Sequence, residues 1–126
     1  MEYVGDILVL DDSKEIADLV ADLLTDEGYI VRVAHTSDEA LRLIADRRPD
    51  VAIVDLYLPQ RIGDSFGRSI NASGLTPIPV IIMTADLKSA RELDMDGIAY
   101  CLTKPFDLDE LICSVGELAR RELAAA

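Results

Sequence analysis

Short apolar runs alternate along this chain with segments whose apolar residues recur every three or four positions. Ile7 to Leu10 reads as a first strand, and Ile16, Leu19, Val20, Leu23 and Leu24 then form a helical stripe that Gly28 stops. Ile30 to Ala34 reads as a second strand, and the polar Arg32 at its centre predicts an edge position. Ser37 is the expected N-cap of a second helix, with Ala40, Leu41 and Ile44 as its apolar stripe. Pro49 and Asp50 punctuate before a third strand, Val51 to Val54. The stretch from Leu56 to Gly67 is the least regular, and a third helix is predicted from near Asp64 to before Gly74. Pro77 and Pro79 lead into a fourth strand, Val80 to Met83, followed by a helix around Leu87 to Leu93 whose thin stripe predicts the most mobile helix. A fifth strand, Ala99 to Leu102, precedes a final helix that Asp107 caps, carrying Leu111, Ile112, Val115 and Leu118 and fraying from Arg120 to Ala126.

Five strands alternating with five helices predict an α/β fold: a single (βα)5 doubly wound domain with a parallel sheet covered on both faces. Right-handed crossovers restrict the strand order, and the flavodoxin-like order 2-1-3-4-5 agrees with an edge position for the second strand. That order opens a crevice at the carboxyl ends of strands one and three.

The chain has 126 residues, so one domain spanning 1–126 is expected, with no internal repeat and no linker. Asp plus Glu outnumber Lys plus Arg by 24 to 12, giving a net charge of −12. Such an acid excess argues against direct binding to nucleic acid or to an anionic membrane. No apolar stretch reaches membrane-spanning length, and Met1-Glu2-Tyr3 lacks the basic start of a signal peptide, so a cytoplasmic location is expected. Cys101 and Cys113 have no metal-ligand spacing and read as two buried, reduced thiols.

The chemistry gathers at strand ends. Asp11 and Asp12 follow the first strand, and Asp55 follows the third. Three carboxylates about 5 Å apart repel by roughly 3 kcal/mol per pair at an effective dielectric of about 20. A cluster of this kind calls for a cation, and the hard, oxygen-seeking Mg²⁺ is the natural one. The outward carboxylate can then act as a nucleophile toward phosphorus. Strand four ends in Thr84-Ala85 and strand five runs into Thr103-Lys104-Pro105, which adds a hydroxyl and an ammonium to the same rim. Each group taken singly has a plain explanation: a turn-forming Asp, a β-branched strand residue, a solvated Lys. Their joint occurrence, in order, at the ends of four strands does not.

With these residues, the chain resembles the receiver domain of two-component response regulators over essentially its whole length. Asp11-Asp12 match the acidic pair, Asp55 the phospho-acceptor, Pro59 and Gly63 the loop that follows it, Thr84-Ala85 the switch hydroxyl and its small neighbour, and Lys104-Pro105-Phe106 the lysine motif. The resemblance implies that Asp55 takes a phosphoryl group from a phosphohistidine on a sensor histidine kinase or histidine phosphotransfer protein. It implies Mg²⁺ bound directly by Asp12 and Asp55, through water by Asp11, and by the backbone carbonyl of Tyr57. Lys104 is implied to pair with Asp55 and then with the phosphoryl group, while Thr84 swings toward it; the Lys104–Pro105 bond is implied to be cis. The aspartyl phosphate hydrolyses again, so the expected protein is a timed switch rather than a turnover enzyme. It is expected to be a monomer or weak dimer with no output domain, either stand-alone or cut from a larger protein.

One position departs from the family pattern. Where an aromatic usually stands three residues before the lysine, this chain has Cys101, and Tyr100 is one residue early. Strand alternation sends Tyr100 to the opposite face unless a bulge intervenes. Thr84 is therefore expected to move without aromatic coupling. Tyr57 and Asp86, flanking the mouth, suggest slow loss of the phosphoryl group. His35 reads as a surface residue away from the rim. Competing readings are a docking module that is never phosphorylated, an aspartate-nucleophile phosphatase, which usually has a second Asp where Tyr57 stands, and a flavin carrier, whose phosphate loop the acidic Asp11-Asp12-Ser13-Lys14 contradicts.

Overall fold

The computed structural model describes residues 5–55, 78–85, 100–103 and 107–125, with side chains as far as 119 in the last segment. Within them the chain runs β1 (Asp6–Leu10), α1 (Lys14–Asp26), β2 (Ile30–Ala34), α2 (Ser37–Asp46), β3 (Val51–Asp55), β4 (Val80–Thr84), β5 (Tyr100–Thr103) and α3 (Leu108–Ala125). All four strand pairings are parallel and the order is β2-β1-β3-β4-β5, as the sequence pattern predicts. The segments predicted as the third and fourth helices, and the start of the fifth strand at Ala99, lie outside the described residues.

Strands β1, β3 and β4 are buried along their whole length, which explains why they read as unbroken apolar runs rather than alternating ones. Alternation still divides their side chains between two cores. Ile7, Val9, Ile53, Ile81, Met83 and Leu102 pack with Val20 and Leu24 of α1 and with Leu111 and Val115 of α3. Leu8, Leu10, Ala52, Val54 and Ile82 pack on the other face, where α2 contributes Ala40, Leu43 and Ile44.

The helix ends follow from local chemistry. Ser13 caps α1, its hydroxyl accepting from the Ile16 N–H at 3.4 Å. At the other end the N–H groups of Gly28 and Tyr29 bond back to Thr25 and Leu24, a closure that needs a left-handed residue, and Gly28 supplies it at φ 100°. Asp107 caps α3 as expected, its Oδ1 accepting from the Asp109 N–H at 2.9 Å.

Several expectations need correction. The N-cap of α2 is Thr36, and Ser37 is its first helical residue. Thr36 stands three residues before Glu39, the capping-box spacing, whereas Ser37 stands three before Ala40. Leu41 is 44% exposed and Leu19 51% exposed, so neither belongs to its helix's buried stripe. Leu41 is one residue, about 100° of helix, past the buried Ala40, and the stripe continues instead through Leu43 and Ile44. Of the two thiols only Cys101 is half-buried; Cys113 is exposed on α3, and neither is in a disulfide.

Strand β2 is at the edge, but Arg32 does more there than face solvent. Its Nε and Nη2 reach Asp6 Oδ1 at 3.1 Å, and its Nη1 and Nη2 donate to the carbonyls of Leu43 and Arg47 at 2.7 Å. The guanidinium thus closes the C-terminal end of α2, which has no basic residue in its own last turn. Arg47 pairs with the second oxygen of the same buried aspartate.

Candidate functional site

The parallel register brings the acids together. Leu10 is paired with Val54, so Asp11, one step further, comes abreast of Asp55 at the end of β3. The Asp11 N–H continues the ladder onto the Ala34 carbonyl at 3.1 Å, which anchors the point where the chain leaves the sheet. Asp11 Oδ1 accepts from the Ser13 N–H at 2.9 Å, and the Ser13 hydroxyl in turn starts α1. The acidic pair therefore rides on a turn whose two ends are tied to a strand and to a helix.

Carboxylate oxygens of Asp11, Asp12 and Asp55 all lie within 4.8 Å of one another. Asp11 and Asp55 are buried, and Asp12 is exposed at the mouth. An Mg²⁺ oxygen shell is about 4.2 Å across, twice its bond length of about 2.1 Å. The trio thus matches the span of one ion, with a small side-chain rotation or a water completing the fit. Its donors are all hard anionic oxygens, which is the set Mg²⁺ prefers. Two buried acids beside a third are also costly without a cation.

Thr84, fully buried at the end of β4, follows Met83, the register partner of Asp55. It shares a sheet face with Ile82 and, across the β4–β5 pairing, with Cys101. Ala85 follows it, exposed at the rim. The β4–β5 register is continuous, Ile81 to Tyr100, Ile82 to Cys101, Met83 to Leu102 and Thr84 to Thr103, so no bulge returns Tyr100 to the other face. Tyr100 packs on the α1–α3 core and donates its hydroxyl to Glu117 of α3 at 2.7 Å. Cys101, on the Thr84 face, has its thiol pKa raised by burial. Tyr57, Pro59, Gly63, Asp86, Lys104, Pro105 and Phe106 lie outside the described residues.

At the site, sequence reasoning placed His35 wrongly. It is half-buried, and its Nδ1 lies 2.9 Å from the backbone carbonyl oxygen of Asp11. The signal was available in the topology: β2 neighbours β1, so a residue one past the end of β2 adjoins the residue one past the end of β1.

This combination of sheet order and rim acids is that of a receiver. Residues 7–115 match the family model described as the response regulator receiver domain, and the chain belongs to that family. It is 36% identical over 117 residues to the response regulator MprA of Mycobacterium ulcerans, an alignment covering 91% of this chain and 50% of that protein. The chain thus spans about half the length of the curated relatives it matches. Among solved structures, it superposes on the receiver domain of the Francisella response regulator 1452 with a TM-score of 0.83 at 34% identity, covering 93% of this chain and 98% of that one. It also superposes on NtrX of Brucella abortus with a TM-score of 0.84 at 30% identity, covering 97% of this chain and 28% of that one. Receiver domains generally use Mg²⁺ in an acidic pocket and work with histidine kinases or phosphotransfer proteins, and Asp11, Asp12 and Asp55 form an acidic group that could hold such an ion. No helix among the described residues is long and apolar enough to cross a membrane.

Proposed function

We propose that this chain is a phospho-accepting switch in which Asp55 is the acceptor. A carboxylate oxygen of Asp55 forms a bond to the phosphorus of a phosphohistidine as the phosphorus–nitrogen bond breaks. The departing imidazole keeps the electron pair and is left to take up a proton. Asp11, Asp12 and Asp55, with the Tyr57 carbonyl, would hold Mg²⁺, which supplies positive charge against the acids and the incoming phosphoryl oxygens. Thr84 and Lys104 offer a hydroxyl and an ammonium to those oxygens. The protein is read as a switch reset by hydrolysis of its own aspartyl phosphate, not as an enzyme acting on a separate substrate.

The observation carrying this reading is the meeting of three carboxylates within 4.8 Å at the ends of β1 and β3. Incubation with Mg²⁺ and a small phosphodonor, followed by intact mass, tests it. One phosphoryl group is expected on the parent protein, and none on Asp55→Asn. An unmodified parent would instead favour a docking module, a reading to which Cys101 on the Thr84 face lends its one specific support.

A further inference from the structure

The Asp11 carbonyl that His35 meets belongs to the peptide joining Asp11 to Asp12. A carbonyl oxygen only accepts, so this contact requires the proton on His35 Nδ1. The histidine is itself held from behind. Its backbone N–H donates to Glu39 Oε1 at 2.7 Å, and the Glu39 N–H donates to the Thr36 hydroxyl at 3.2 Å. The capping group of α2 is therefore the fixed end of a hydrogen-bonded chain whose other end is the peptide between the paired acids. A peptide is planar, so holding its oxygen restrains the rotation of the plane that links the two acidic residues. Asp11 has a further tie through the Ser13 N–H, while Asp12 is exposed at the mouth. The rotation of that plane is one of the backbone variables that set where the Asp12 carboxylate stands beside the other two acids.

We propose that His35 is a positioning residue for the metal pocket, aiming the Asp11–Asp12 peptide through Nδ1. The inference rests on the reading of the aspartate trio as an Mg²⁺ site. The test is calorimetric titration of the metal-free chain with magnesium chloride, for the parent, His35→Ala, His35→Asn and His35→Gln. Asparagine places an amide nitrogen where Nδ1 stands, whereas glutamine places it one carbon further out. His35→Ala and His35→Gln are expected to weaken Mg²⁺ binding by about tenfold, the lower end of what loss of an outer-shell partner costs a metal site. His35→Asn is expected to recover most of that loss. Nitrogen-15 NMR of the metal-free parent should show the Nδ1-protonated tautomer, a readout independent of the metal. If the alanine variant fails to fold, the asparagine–glutamine difference and the tautomer decide the matter.

A parent that binds Mg²⁺ while all the folded variants match it overturns the inference and leaves the metal site standing. So does an asparagine variant as weak as the glutamine one. A parent that takes up no Mg²⁺ overturns the metal site and the inference together.

Discussion

Cys101 stands on the Thr84 face of β5, at the position where the receiver pattern leads one to expect an aromatic ring. It has no ring to swing and no long side chain to repack a surface. Burial raises its pKa, so the thiol stays protonated further into alkaline conditions than an exposed one. The thiolate is the nucleophile, so a raised pKa leaves less reactive species at any given pH. With iodoacetamide at neutral pH, Cys101 is expected to alkylate more slowly than the exposed Cys113. Its rate should climb only as the pH is taken above the usual thiol range. Peptide mass spectrometry separates the two sites, and equal rates at neutral pH would contradict the burial of Cys101. The chemistry at this position was legible in the sequence, because face follows from strand parity and needs no coordinates. The role of His35 was not, because it depends on which strand lies beside β1, and the local sequence Ala34-His35-Thr36 carries no trace of that neighbour.

Arg32 and Thr36 show how one element is closed from two ends. Strand β2 sends Arg32 across to the last carbonyls of α2 and to the buried Asp6, while Thr36 starts the same helix. Replacing Arg32 by Met removes the cap and one of the two cations at Asp6. Breaking one side of a buried ion pair costs about 3–5 kcal/mol. Because Arg47 still pairs with Asp6, the lower end, about 3 kcal/mol, is expected in urea unfolding. Arg32→Lys should recover little, since a single ammonium cannot reproduce a planar fork that serves Asp6 and two carbonyls at once. A full rescue by lysine would show that only the charge matters. At the N-terminal end, Thr36→Ala is expected to cost about 1 kcal/mol. Ser37→Ala should stay within about 0.5 kcal/mol, as for a substitution outside any cap. Equal costs would return the cap to Ser37. Strands β1, β3 and β4 were readable almost to the residue because burial leaves their apolar runs unbroken. The helix caps were less so, because adjacent Thr and Ser compete for one role and only the spacing to Glu39 separates them.

Across the whole molecule, the sheet puts Thr84 and Tyr100 on opposite faces. Thr84 faces the α2 side, whereas Tyr100 is on the α1–α3 side with its hydroxyl bonded to Glu117. For Tyr100 to follow Thr84 it would have to leave that core, break its bond to α3 and pass through the plane of the sheet. Strand β5 cannot let it do so without slipping register by one residue, which would also expel Leu102 from the core. Loading the Asp55 site should therefore leave the Tyr100 ring where it is, and any response must travel from the Thr84 face by another route. NMR of the protein with and without Mg²⁺ and beryllofluoride, a mimic of the phosphoryl group, measures this directly. The ring shifts of Tyr100 and its contacts to Glu117 are expected to persist, while amides near Thr84 and Cys101 move. Tyr100→Phe should accordingly leave the rate of phosphoryl uptake unchanged, because the bond it removes ties β5 to Glu117 of α3. A ring that moves from the α3 face on loading, or a phenylalanine variant that takes up the phosphoryl group severalfold more slowly, would mean that the two faces are coupled after all.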